Sequence, residues 1–122
     1  SRLATGTDLA AAVAHADLVV EAATENTDIK FKLFRDLDAL APAHCILASN
    51  TSSISITRIA AETKRPEQVI GMHFMNPVPV MKLVEIINGY STSKETTQAV
   101  VEMSEQLGKI AVGCNDYYVC VL

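Results

Sequence analysis

Cys45-Ile46-Leu47-Ala48, running straight into Ser49-Asn50-Thr51-Ser52-Ser53, is the stretch that decides the fold. A short apolar run ended abruptly by polar residues reads as a strand buried on both faces. Sheets of that kind are covered by helices, and the flanking sequence supplies them. Upstream, Asn26 or Thr27 opens a pattern in which Ile29, Leu33, Phe34, Leu37 and Leu40 recur at helical spacing until Pro42. Downstream, a helix is expected from Ile56 to Thr63, before Pro66.

The same alternation continues in both directions. Thr7 or Asp8 caps a short helix reaching about Ala16, and Leu18 to Ala23 reads as a strand. Glu21, near the end of that strand, is costly to bury without a partner. Gln68 to Phe74 and Lys82 to Ile87 are further strands, separated by Asn76-Pro77-Val78-Pro79, which cannot be helical. Thr92 with Glu95 has the form of a capping box, opening a helix with Val100, Met103 and Leu107 inward and Gly108 at its close. Ile110 to Val112 begin a last strand. These elements predict one α/β domain, its sheet mostly parallel with a C-terminal antiparallel strand pair.

A chain of 122 residues suits one compact domain. With 49% hydrophobic and 20% charged residues, it can bury enough apolar surface to offset chain entropy, which excludes disorder. The net charge of −4, with no basic run, argues against nucleic acid as a partner. No stretch approaches the roughly 20 apolar residues of a membrane span. The 3 cysteines, Cys45, Cys114 and Cys120, lack metal-site spacing, and their odd number argues against a disulfide framework. A reducing, cytoplasmic compartment is the default expectation. Ser1-Arg2-Leu3 does not look like an initiation site, so a targeting segment could precede it.

Ligands of open α/β sheets bind beyond the carboxyl ends of the strands. Glu21 to Asn26, Ser49 to Ser53 and His73 to Asn76 all fall there. Each cluster alone fits ordinary turn and capping chemistry; their convergence points to a site. If the chain reverses near Pro79, His73 and Glu85 stand opposite each other on adjacent strands, close enough to interact. A carboxylate against imidazole fixes its tautomer and suits it to act as a general base. Ser52 could then offer a hydroxyl to the reacting oxygen. Such a set would abstract a proton from an alcohol, though spacing alone does not identify the substrate.

The stretches Ala48 to Thr57, Gly71 to Glu85 and Asp17 to Asn26 closely resemble the 3-hydroxyacyl-CoA dehydrogenase family, the bacterial 3-hydroxybutyryl-CoA dehydrogenase branch being nearest. The similarity runs from about Leu3 to Lys109. It implies a partial, Rossmann-like NAD-binding and catalytic domain over residues 1–122, corresponding to the second half of the family's NAD-binding unit. The implied reaction interconverts (S)-3-hydroxyacyl-CoA and 3-oxoacyl-CoA with NAD, in fatty-acid and butanoate metabolism. By that resemblance His73 is the general base, Glu85 orients it, and Ser52 binds the reacting oxygen beside the nicotinamide. Asn50 and Asn76 match positions near the nicotinamide and the substrate. Glu25 and Lys30 match positions near the cofactor ribose and the CoA passage.

The family also carries a glycine-rich phosphate loop, G-x-G-x-x-G, ahead of this region and a helical, dimer-forming substrate domain after it. Here the 5 glycines stand scattered at 6, 71, 89, 108 and 113, and the expectation is that residues 1–122 contain neither the glycine-rich unit nor the helical domain. The tail from Asp116 to Leu122 departs from the family's Asp-x-Pro-Gly-Phe pattern. The parent enzyme is expected to be a homodimer, and this chain alone to turn over weakly or not at all. The competing reading is a non-catalytic domain that retains CoA or nucleotide affinity or associates with itself. A related chemistry on another hydroxy acid is a lesser alternative.

Overall fold

In the computed structural model, which describes residues 5–75, 77 and 79–115, the short apolar runs form strands. They are β1 (Leu18–Glu21), β2 (Ile46–Ser49), β3 (Val69–Phe74), β4 (Leu83–Asn88) and β5 (Ile110–Asn115). Between or before them lie α1 (Leu9–Val13), α2 (Thr27–Leu40), α3 (Ile56–Ala60) and α4 (Lys94–Gln106), with a 3-10 turn at Pro66–Gln68. The 5-stranded sheet keeps chain order, β1-β2-β3-β4-β5. β1, β2 and β3 run parallel, β4 turns back antiparallel on β3, and β5 lies parallel to β4.

Alternation along the strands sends successive side chains to opposite faces. Cys45, Leu47 and Val69 join Phe34, Leu37, Ile56 and Ile59 in a core beneath α2 and α3. Ala48, Ile70, Met72, Val84 and Ile86 meet Val100 of α4 on the other face. The central strands are therefore apolar on both sides, and their two-sided burial is why they read as continuous apolar runs.

Side chains set the helix limits. Asn26 Oδ1 accepts from the Ile29 amide at 3.0 Å, and Asp8, Ser55 and Ser93 cap α1, α3 and α4 in the same way. The buried Arg65 closes the far end of α2. Its guanidinium donates to Asp38 Oδ1 at 2.7 Å and to the carbonyls of Asp38, Ala41, Pro42 and Cys45. The Asp38 and Ala41 carbonyls are among the acceptors that a helix end leaves unpaired, while those of Pro42 and Cys45 belong to the loop that follows. At the end of α4, Gly108 takes a φ of 78°, and the Lys109 amide reaches back to the Ser104 carbonyl.

Several expectations are corrected in detail. The inner stripe of α2 is Lys30, Phe34 and Leu37, while Ile29 is 57% and Leu40 41% exposed. The stripe is rotated because Lys30 turns inward to a buried carboxylate. α3 stops at Ala60 rather than Thr63, the chain leaving it through turn bonds from Glu62 and Thr63 to Ile59 and Ala60. Ser93, not Thr92, caps α4, because the Thr92 hydroxyl is bound to Val69 O at 2.7 Å and to the Gly89 amide at 2.8 Å. Leu107 faces out, at 63% exposure, since it lies in the turn that unwinds α4. Cys45 is free and buried, but Cys114 is disulfide-bonded, contrary to the expectation from an odd cysteine count. Among the described residues, no helix is long and apolar enough to cross a membrane.

Gly71 sits where β3 comes close to both its β4 partner Ile87 and Ile56 of α3. A Cβ there would lie 2.8 Å from Ile87 Cβ and 3.0 Å from Ile56 Cδ1. Gly71→Ala should therefore overpack both the β3–β4 pairing at Ile87 and the β3–α3 contact at Ile56, and cost about 1–3 kcal/mol. Urea denaturation checks this, and an unchanged midpoint would show that both Ile87 and Ile56 can move aside freely.

Candidate active site

The antiparallel return of β4 places His73 and Glu85 directly opposite each other. Residues so paired face the same way, and Nδ1 of His73 lies 3.1 Å from Oε1 of Glu85. The carboxylate side chain is 10% exposed and the imidazole 27%. When Nδ1 carries the proton it donates to Glu85, leaving the lone pair on Nε2 to receive another proton. The pair is thus half enclosed: the carboxylate sits in the sheet and the ring reaches toward solvent.

β2 lies beside β3, so the loop after Ser49 meets the same edge of the sheet. Asn50 bridges the strands there. Its amide donates to the Glu21 carbonyl at 2.8 Å, and its Oδ1 accepts from the Phe74 amide at 3.0 Å. The side-chain carbonyl thereby extends the β2 row of acceptors by one position, beside His73. Ser52 is exposed on the loop, between Thr51 and Ser53. Both neighbours donate to Oε2 of Glu25, Thr51 at 2.9 Å and Ser53 at 2.6 Å. Burial by itself raises the Glu25 pKa, but these hydroxyls and the Lys30 ammonium outweigh it and hold the carboxyl below its ordinary value. Asn76 lies outside the described residues.

Lys30 sits deeper than a surface ligand. Its ammonium is 2.7 Å from Glu21 Oε1, 3.2 Å from Ser49 Oγ and 3.7 Å from Glu25 Oε1. The side chains of Lys30 and Glu21 are only 1% and 2% exposed. Ser49 donates to Glu21 Oε1 at 2.7 Å and the Ala23 amide to Oε2 at 2.8 Å. Burial pushes the Glu21 pKa up, yet the bonds from Lys30, Ser49 and Ala23 prevail and the net shift is downward. Sequence reasoning flagged the cost of burying Glu21 without finding its partners. An acidic residue in an apolar strand demands a nearby cation, and the inward stripe of α2 was the place to look.

His73, Glu85, Asn50, Ser52 and Glu25 thus converge on the carboxyl ends of β1, β2 and β3, with Lys30 beneath them. A cavity of about 430 Å³ lined by Asn88, Tyr90, Lys94 and Gln98 lies at the far end of β4, away from this cluster. Among the described residues, no group of three or more His, Cys, Asp and Glu side chains is placed to hold a metal ion.

A mostly parallel α/β sheet with polar loops gathered at its strand ends defines a Rossmann-like nucleotide-binding domain. The chain belongs to the family described as 3-hydroxyacyl-CoA dehydrogenase, NAD binding domain, whose pattern matches residues 1–117. It is 59% identical over 103 residues to the Bacillus subtilis protein named "Probable 3-hydroxybutyryl-CoA dehydrogenase", covering 84% of this chain and 36% of that protein. It is 52% identical over 116 residues to the human mitochondrial hydroxyacyl-coenzyme A dehydrogenase, covering 95% of this chain and 37% of that one. The crystal structure of 3-hydroxybutyryl-CoA dehydrogenase from Escherichia coli K12 superimposes with a TM-score of 0.88 at 49% identity, over 91% of this chain and 23% of that chain. The chain therefore spans a little over a third of the length of the curated relatives it matches.

The buried pair makes two outcomes testable. Glu21→Ala leaves an uncompensated buried ammonium and should cost about 3–5 kcal/mol in urea denaturation. Adding Lys30→Met to Glu21→Ala should recover much of that loss, because no unpaired charge is then left buried. For pH, the folded value lies below the ordinary 4.5, so the Glu21 contribution is complete above 4.5 and is lost as pH falls through the folded value. A Glu21→Gln protein should accordingly show a flatter acid limb in a plot of melting temperature against pH. An unchanged slope would mean that other carboxylates dominate acid unfolding.

Proposed function

We propose that this chain carries the alcohol-deprotonating centre of an NAD-dependent dehydrogenase that interconverts (S)-3-hydroxyacyl-CoA and 3-oxoacyl-CoA. The observation that carries the reading is the 3.1 Å contact between His73 and Glu85 at a strand end of this fold. Names of relatives, such as the 3-hydroxybutyryl-CoA dehydrogenase of Clostridioides difficile at 53% identity, support the substrate class. Residues 1–122 are read as part of the NAD-binding and catalytic domain, working with a glycine-rich phosphate loop and a helical substrate domain elsewhere in a homodimeric enzyme.

His73 takes the proton of the substrate's 3-hydroxyl on Nε2, while Glu85 holds Nδ1–H and stabilises the imidazolium that results. Ser52 offers its hydroxyl to the oxygen that becomes the carbonyl. NAD, when bound, supplies the acceptor for the hydride from C3. The residues present fit that cofactor: Glu25 has a side chain 47% exposed at the strand ends, a carboxylate able to accept from a ribose hydroxyl. Lys30, 3.7 Å away, holds that carboxylate in its charged form. Asn50 is read as facing the nicotinamide end of the cofactor, and Asn76 is assigned to the cofactor–substrate junction on the family resemblance alone.

The test uses an enzyme containing this segment, with acetoacetyl-CoA and NADH. His73→Ala should lower kcat by about 10²–10⁴-fold, the usual worth of a positioned acid–base group. Glu85→Gln should lower kcat with little change in KM for NADH. Undiminished turnover by His73→Ala would overturn the reading in favour of a non-catalytic domain that binds CoA or nucleotide.

A further inference from the structure

We propose that Glu25, Thr51 and Ser53 are positioning residues that clamp the loop carrying Ser52. The residues on either side of Ser52 both donate to one carboxylate oxygen, Oε2 of Glu25. Thr51 contributes further, because its Oγ1 accepts from the Ser53 amide at 3.3 Å and the Ile54 amide at 3.1 Å. The loop backbone is therefore tied to a hydroxyl that is itself tied to Glu25. Thr51 is 1% exposed, whereas Ser52, between the two anchors, is exposed. The clamp holds the flanks and leaves the Ser52 side chain outward.

Glu25 is itself held from behind. Its Oε1 faces the Lys30 ammonium at 3.7 Å, and Lys30 is anchored on Glu21 and Ser49 inside the sheet. A continuous path of charged and hydroxyl groups thus runs from the buried pair to the serine loop. Hydrogen bonds to an ionised carboxylate are the stronger kind, and the depressed pKa of Glu25 agrees with their presence. Because Oε2 takes both hydroxyls, Oε1 is left to accept from a ligand hydroxyl without releasing the clamp. The meaning of the device rests on the proposed dehydrogenase reading, in which Ser52 must meet the reacting oxygen.

The experiment is amide hydrogen exchange by NMR on the full chain, compared among wild type, Glu25→Gln, Ser53→Ala and Ser53→Thr. Glu25→Gln and Ser53→Ala should raise exchange at Ser53 and Ile54 by about tenfold, as expected for losing one charge-assisted hydrogen bond. Core amides such as Leu47 and Ile70 should not change, and Ser53→Thr should restore the wild-type rate. Wild-type exchange in the loop of Glu25→Gln would remove the clamp. Equal acceleration of loop and core would also overturn it, by showing that Glu25 merely supports the fold. An NADH titration of the same samples reads the dehydrogenase proposal separately: shifts at Ser52 with unaltered loop exchange would keep that proposal and discard the clamp.

Discussion

Glu21 and Lys30 place opposite full charges where neither side chain is more than 2% exposed. Taking each ion out of water costs several kcal/mol, and only close pairing with further hydrogen bonds offsets it. Here Ser49 and the Ala23 amide complete the shell of Glu21. Unlike apolar contact, which has no direction, this set of bonds has one good geometry. It joins the end of β1, the first turn of α2 and the end of β2. The polar residues of the candidate site are displayed from those ends, from the neighbouring end of β3 and, for Glu85, from β4.

The second constraint is the sense of β4. A parallel strand would carry Glu85 to another level of the sheet; the antiparallel return sets it against His73. Alternation makes the register strict, because a slip of one residue would turn Glu85 to the opposite face. The apolar neighbours resist such a slip. Val84 and Ile86 are fully buried beneath α4, so moving Glu85 into their row would bury a carboxylate without a partner. The His73–Glu85 contact and the hydrophobic core are thus two consequences of one register.

Much of the fold is legible along the chain. The short apolar runs ending in polar residues mark the strands, and Pro42 and Pro66 bound the helical segments. The opposition of His73 and Glu85 follows from a reversal near Pro79, and the observed pairing has that register. What was misread lies where tertiary contact overrides periodicity. On α2, Ile29 and Leu40 have helical spacing yet face water, because Lys30 has a buried carboxylate to meet. Arg65 looks like an ordinary charged residue before a proline until the carbonyls around Asp38 to Cys45 surround it.

By itself, the sequence determined the alternation of strands and helices, the position of the polar clusters at strand ends, and the resemblance to 3-hydroxyacyl-CoA dehydrogenases. These are local properties, since periodicity, capping residues and motifs are written in neighbouring positions. Only the tertiary structure decided which side chains share an oxygen: that Thr51 and Ser53 both reach Glu25, and that Asn50 spans to the Phe74 amide. Those contacts join residues more than 20 positions apart. Their formation depends on where three strand ends come to rest, which is set by the packing of both faces of the sheet together.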